Sequence, residues 1–352
     1  MSQPGFFDLS RRYEGLDVKK DPLVTLARVV PWELFRPQLL AALMSQDLRT
    51  RAGERRSAAG RKPWDEVLIF KALVVQALYN LSDEQTEYQL RDRLSFMRFL
   101  GLGLEDAVPD ATTLWLYREA LARAGAVEAL FGAFDGYLRE HGFLAMGGQI
   151  IDASIVAAPR QRNSRDDNDS IKRGKTPPDW DAHPAKQRQK DIDVRWTKKH
   201  GRTYFGYKNH ISMDQRHKLV RRYSVTDAAR HDSGEFEAVL DPTNTCSKVW
   251  GDSAYRSAQT EENLAERGYK SCIHRRGARN HPLSAREQQG NATRSRVRAR
   301  VERVFGHQAN AMGSKLVRTI GLVRAKMKIG MQNLTYNMSR FMHLHSVRAS
   351  PA

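Results

Sequence analysis

The chain has 352 residues, 40% of them hydrophobic, which is enough for two or three domains with their own cores and argues against wholesale disorder. Its 58 Lys and Arg against 40 Asp and Glu leave a net charge of +18, which favours a polyanionic partner, nucleic acid being the commonest. Only two cysteines occur and there is no CxxC, no apolar run approaching about 18 residues and no signal-peptide core, so zinc-site, membrane and secretory readings lack support and a reducing, cytoplasmic setting is expected.

Residues 1–60 read as an N-terminal segment. It holds an apolar patch (Leu23, Leu26, Val29, Trp32, Phe35), a short helix near 39–43 and a basic linker at 49–56. Residues 61–142 carry a helical pattern. Pro63 is a good first-turn residue, followed by Asp65 and Glu66, and Val67, Phe70, Val74 and Leu78 repeat at helical spacing. Ser82 and Asp83 open a second helix, Gly101 and Gly103 break the chain, and Asp110 with Thr112 caps a third helix through Leu114, Tyr117 and Leu121. This succession is either a helix-turn-helix DNA reader or a small bundle supporting a neighbour, with Arg118 the main side chain able to read bases.

At Gly148 the period changes to two. Gln149 to Val156 is a β-rich run with Asp152 in its middle, and a domain spanning residues 146–345 follows. Residues 159–197 read as an irregular basic insert, and residues 186–222 hold twelve Lys or Arg against three Asp, a composition suited to backbone phosphates. Two strands at 204–213 and 218–225 are joined by a turn at 214–217. Asp232 with Glu235 has the spacing of a capping box that opens a helix through Phe236, Val239 and Leu240. A strand at 248–251 runs into Asp252. After it come a helix at 260–267 capped by Thr260, a strand at 270–274 and a basic loop at 275–291. Val297, Val301, Val304 and Phe305 form the docking stripe of a helix with Arg298 and Glu302 along its edge, and the tail after Leu316 reads as packing helices.

Glu302 is the only acid from Gln288 onward, in a span holding twelve Lys or Arg. By itself it is either an ordinary i,i+4 partner of Arg298 or a carboxylate facing a metal while the arginines face phosphate. Asp152 is harder to explain structurally, because an unpaired buried charge in an apolar strand is expensive. Asp252 could start a turn or serve function. Three carboxylates converging would repel unless cations neutralised them, and hard oxygen ligands suit Mg²⁺, with Mn²⁺ able to substitute. Two such ions about 3.5–4 Å apart activate an attacking hydroxyl and stabilise a leaving oxygen of a phosphodiester. Tyr255 and His274 read as packing or phosphate contacts. No P-loop, HExxH or GxSxG occurs.

The residues that carry a family resemblance run through nearly the whole chain. They include Tyr79-Asn80-Leu81-Ser82-Asp83, Pro109-Asp110-Ala111-Thr112-Thr113, Ile151-Asp152-Ala153-Ser154 and Tyr207-Lys208-Asn209-His210. His231-Asp232-Ser233, Asp252-Ser253-Ala254-Tyr255-Arg256 and Arg298-Ala299-Arg300-Val301-Glu302-Arg303 continue the series. In this the sequence resembles bacterial insertion-sequence transposases of the DDE class, specifically the insertion-sequence-five group. The resemblance implies an α+β protein, with a helical N-terminal DNA-binding region followed by an RNase H-like, retroviral-integrase-like catalytic domain whose mixed sheet is flanked by helices. It implies that Asp152, Asp252 and Glu302 are the metal-binding acids of a reaction that cleaves at terminal inverted repeats and joins 3′ ends to target DNA. Lys199, Lys208, His210, Arg256, Arg294, Arg298 and Arg303 are the expected DNA contacts, and a homodimer or larger assembly acting at the bacterial nucleoid is the expected form. Many relatives carry a lysine two turns after the glutamate; here Ala309 stands in its place, which puts Arg298 or Arg303 forward as its substitute. A metal-dependent nuclease without strand transfer and a non-enzymatic DNA-binding regulator are the alternatives.

Overall fold

The computed structural model describes residues 8–46, 48, 63–199, 201–278 and 281–349, so the expected basic linker at 49–56 lies outside the described residues. The chain divides into two compact units, Met1–Phe134 with Leu334–Ala352, and Asp135–Asn333. Residues 334–345, expected with the catalytic domain, thus group with the helical unit. No described helix is long and apolar enough to cross a membrane.

The first unit is built from α1 (Asp8–Val18), α2 (Pro22–Val29), α3 (Arg36–Ser45), α4 (Glu66–Tyr79), α5 (Asp83–Asp92), α6 (Leu94–Leu100), α7 (Ala111–Arg123) and the start of α8 (Ala126–Glu140). Helix α4 is apolar nearly all round and buries Phe70, Leu73, Val74 and Val75, as a central helix must. Its start is set by the Asp65 carboxylate, which accepts from the Leu68 amide at 2.9 Å, rather than by Pro63, and it stops at Asn80 in the left-handed region. Trp32, Phe35, Phe70 and Phe99 pack as tilted and edge-on rings around it. Ser82 opens α5 through a capping box with Gln85, and Asp110 caps α7. Arg118 does not project as a base reader. Its guanidinium is paired with both oxygens of Asp83 and with Gln76, half-buried inside the unit.

The second unit holds β1 (Gln149–Ala157), α9 (Arg165–Lys172), α10 (Pro178–Asp181), α11 (Pro184–Arg188), β2 (Arg195–Lys199), β3 (Arg202–Asp214), β4 (Val220–Asp227), α12 (Phe236–Val239), β5 (Lys248–Trp250), α13 (Ala258–Glu266), β6 (Lys270–Ser271), α14 (Ala285–Ala311) and the start of α15 (Leu322–Ala349). The sheet order is β2-β3-β1-β5-β6, with β4 pairing β3 as well. Strand β1 runs antiparallel to β3 and parallel to β5, and β5 parallel to β6. An antiparallel front half, a parallel back half and helices on both faces make the expected RNase H-like arrangement.

Alternation along β1 assigns its two faces. Ile151 looks into a core with Phe236, Val239, Tyr255, Leu264 and Ile273. Val156 looks the other way, into a core with Tyr207, Val317, Ala325 and Ile329. Asp152 and Val156 share a parity, so Asp152 lies on the second of these faces, the one on which α14 and the start of α15 pack. Gly206 lets β3 approach β1 closely; a Cβ there would run into the Val156 carbonyl.

Several boundaries differ from expectation. The insert before β2 is not wholly irregular, since it forms three short helices. Its end is fastened by Asp191, which accepts from the Tyr207 hydroxyl at 2.6 Å and the Gly321 amide at 2.9 Å. His231, not Asp232, caps the turn at 232–235, because the Asp232 carboxylate is drawn to Lys208 at 2.8 Å. Ser257, not Thr260, caps α13. Helix α14 begins before Asn291, at a capping box of Ser284 and Glu287 that removes much of the expected basic loop.

Candidate active site

The parallel register that pairs Ile150 with Trp250 sets two carboxylates side by side two residues further on, Asp152 in β1 and Asp252 just past the end of β5. Asp152 is 8% exposed. One of its oxygens accepts from the Ala153 amide at 2.9 Å, and the other accepts from Nε of Arg298 on α14 at 3.3 Å. Burial pushes the Asp152 carboxyl above the ordinary aspartate range; Arg298, the Ala153 amide and Lys199 oppose that, and the Asp252 charge adds to it. Asp252 spends one oxygen on the Ala254 amide at 2.6 Å, capping a short 3-10 turn over Ser253–Tyr255. Its second oxygen has no hydrogen-bond partner among the described residues, so capping the turn leaves part of this carboxylate open.

Glu302 stands apart from this pair. It lies one turn beyond Arg298 on α14, is exposed, and has no hydrogen bond or ion pair among the described residues. The i,i+4 pair with Arg298 does not form, because the guanidinium is engaged by Asp152. Among the described residues no group of three His, Cys, Asp or Glu stands close enough to hold one metal ion. The structure therefore brings Asp152 and Asp252 together and leaves Glu302 outside the pair.

Two neighbours belong to the same locality. Tyr255 is 1% exposed and its hydroxyl is without a partner. Burial pushes its phenol well above the usual range, and the charges of Asp152, Asp232 and Asp252 add to the effect. His274 is half-buried, with Nε2 3.3 Å from the Ser295 hydroxyl. Burial and the adjacent Arg298 and Arg294 lower its pKa, against the pull of Asp252.

The expected DNA contacts separate into groups. Two are corrected. His210 is fully buried and bonded through Nε2 to Thr226 at 2.9 Å, and Lys208 is buried with its ammonium on Asp232 and the Arg230 carbonyl. Both lie on the opposite face of β3 from Asp152, because Lys208 and His210 pair with Ile155 and Ala153 of β1. The His210 ring is enclosed and the Lys208 ammonium is spent on Asp232 and the Arg230 carbonyl. Lys199 is exposed and close enough to Asp152 to act on its charge. Arg256 donates to the Ile273 carbonyl at 3.1 Å and lies 3.4 Å from Glu261. It lines a cavity of about 640 Å³ with His231, Ser253 and Arg276. Arg294 donates to Asn291 at 3.1 Å, while Arg303 lines a different groove, with Arg296 and Arg300. Sequence reasoning missed that division. The signal was present in the spacing, since 298 and 302 share a helix face that 296, 300 and 303 do not.

A family model described as "Transposase domain (DUF772)" matches residues 11–120, and one described as "Transposase DDE domain" matches residues 145–338, more than half of the chain. Among solved structures, the chain is similar to a piggyBac transposase in a synaptic complex with hairpin DNA determined by cryo-electron microscopy. That similarity has 12% identity and a TM-score of 0.46, and covers 94% of this chain and 77% of the other. DDE transposase domains generally use divalent metal ions and act on DNA. The chain belongs to the DDE transposases of insertion sequences, enzymes of DNA transposition.

Proposed function

We propose that this transposase, of the insertion-sequence-five group, cleaves DNA at the terminal inverted repeats of its element and joins the resulting 3′ ends to target DNA. Asp152, Asp252 and Glu302 are the acids that hold its metal ions, Mg²⁺ with Mn²⁺ as a substitute. The observation that carries this reading is the pairing of Asp152 with Asp252. Two carboxylates side by side, one of them buried in mid-strand, are costly unless a cation is to be bound between them. The donor set fits a hard divalent ion, since the second Asp252 oxygen is open and Asp152 already attracts a guanidinium. Bound there, the metal supplies an activated hydroxyl and charge stabilisation for the phosphodiester.

The chain's own residues do the rest. Arg298 and Lys199 place positive charge beside the aspartates, where it orients a phosphate and stabilises charge developing on its oxygens. Glu302, one turn from Arg298 on α14, would be the third acid of the set. Two ends must be paired before joining, which calls for a homodimer or larger assembly at the bacterial nucleoid. A pre-cut element end with a free 3′-hydroxyl, incubated with supercoiled target plasmid and Mg²⁺, tests the reading. Covalently joined products are expected; cutting of DNA without any joining would identify a nuclease instead.

A further inference from the structure

We infer that the face of α14 turned away from Asp152 forms a second DNA-binding groove, which grips the backbone of a duplex segment that is not being cut. The inference rests on the transposase reading above for the identity of the polyanion. A groove of about 730 Å³ is lined by Arg216, Lys218, Arg296, Arg300 and Arg303 with Gly147, Gln215 and Ala299, five cations without one carboxylate. Arg216, Arg296 and Arg303 are exposed and have no ion pair among the described residues. Like charges held this close oppose one another, so such a lining is costly until a polyanion neutralises it.

Position on the helix separates this groove from the catalytic acids. At about 100° per residue, Arg296, Arg300 and Arg303 sit roughly 140–160° round α14 from Arg298. The body of a helix about 10 Å across lies between them and Asp152. A phosphate held in the groove is therefore not the phosphate beside Asp152.

The far wall is preorganised. Arg216 and Lys218 come from the turn between β3 and β4, which is wired to its surroundings at every residue. The Asp214 carboxylate accepts from the His217 amide at 2.6 Å, the Leu219 amide at 3.2 Å and Nε of Arg221 at 3.0 Å. The Gln215 amide donates to the Gly148 carbonyl, the Arg216 amide to the Met146 carbonyl, and the His217 ring meets the Leu144 carbonyl. Lys218 itself has φ 61°, in the left-handed region where a glycine or asparagine is the ordinary choice. A long cation kept at a position that disfavours it points to the charge rather than the turn as what is used.

The test is a double variant, R216Q/R296Q, beside a control of equal charge loss elsewhere on the unit, K172Q/K175Q. Binding of a duplex is measured against salt, and the slope of log K on log [salt] is expected to fall by about 2 in the groove variant, near 0.9 for each phosphate contact removed, and by less in the control. Cleavage of a minimal element end should stay within about two-fold. If the gripped segment is target DNA, joining of a pre-cut end to plasmid falls roughly tenfold while affinity for the end is kept; if it is the flank of the end itself, affinity for long ends falls and that for minimal ends does not. Equal slopes in groove variant, control and wild type would overturn the groove. Loss of cleavage and joining in the wild-type protein would instead overturn the transposase reading, because the salt-slope arm reads binding without catalysis.

Discussion

Arg298 donates to Asp152 across 3.3 Å, whereas Glu302, one helical turn further along α14, has no partner among the described residues. The arginine thus occupies the carboxylate that the glutamate is expected to join. A guanidinium can balance a buried aspartate electrostatically, and a metal ion held by Asp152 under the proposed function would compete with it.

Removing the guanidinium should expose that arrangement. In chelator, R298A is expected to unfold with roughly 1.5–3 kcal/mol less stability, the range for a hydrogen bond to a charged group. Added Mn²⁺ should then stabilise the variant more than it stabilises the wild type, because the cation no longer competes with an internal one. Thermal melts with and without Mn²⁺ read both effects. Equal Mn²⁺ shifts in the two proteins would show that Arg298 does not compete for Asp152.

A different buried arginine tests the scaffold. Arg221 is fully buried and bridges Asp214 at 3.0 Å, Asp135 at 2.8 Å and the Phe143 carbonyl at 2.6 Å. R221M leaves the buried Asp214 carboxylate without its arginine and Asp135 with Arg139 alone, and should cost about 3–5 kcal/mol in urea denaturation. Adding D214N to that variant removes the stranded charge and should recover part of the loss.

The pH dependence of stability follows from His210. Burial depresses its pKa from the ordinary value near 6.5 to about 4. The folded state therefore favours the neutral ring, and the contribution is fully present above pH 6.5. It is lost as pH falls toward 4, because the unfolded chain takes up the proton first. The full effect is roughly 3 kcal/mol, since each tenfold change in proton affinity is worth about 1.4 kcal/mol. H210Q should flatten that part of the stability profile between pH 6.5 and 4. An unchanged slope in the variant would assign the pH dependence to other groups.

Much of the fold was legible in the sequence where a local rule had no competitor. The period-two run around Asp152, the strand before Asp252 and the caps at Ser82 and Asp110 all appear where their residues place them. The start of α14 was legible too, since Ser284 and Glu287 have capping-box spacing, but the surrounding basic charge made the stretch read as a loop. Burial of Lys208 and His210 was not legible. A strand covered on both faces hides polar residues as well as apolar ones, and Asp232, which draws Lys208 inward, is 24 residues away. Arg118 failed as a base reader for a similar reason, because its partner Asp83 lies 35 residues back. Charge composition favours a nucleic-acid partner, while the division of the α14 arginines between Asp152 and the groove beyond lay in their helical spacing and is made visible by the packing of α14.

The assignment of the three acids is tested most directly by cleavage of a labelled element end in Mg²⁺ by D152N, D252N and E302Q, with DNA binding measured alongside. Each variant should bind the end within about two-fold of wild type and lose roughly a thousandfold or more in cleavage rate, the several kcal/mol that a metal-ligand set contributes. Cleavage by any one of the three at near wild-type rate, above all by E302Q, would contradict the assignment.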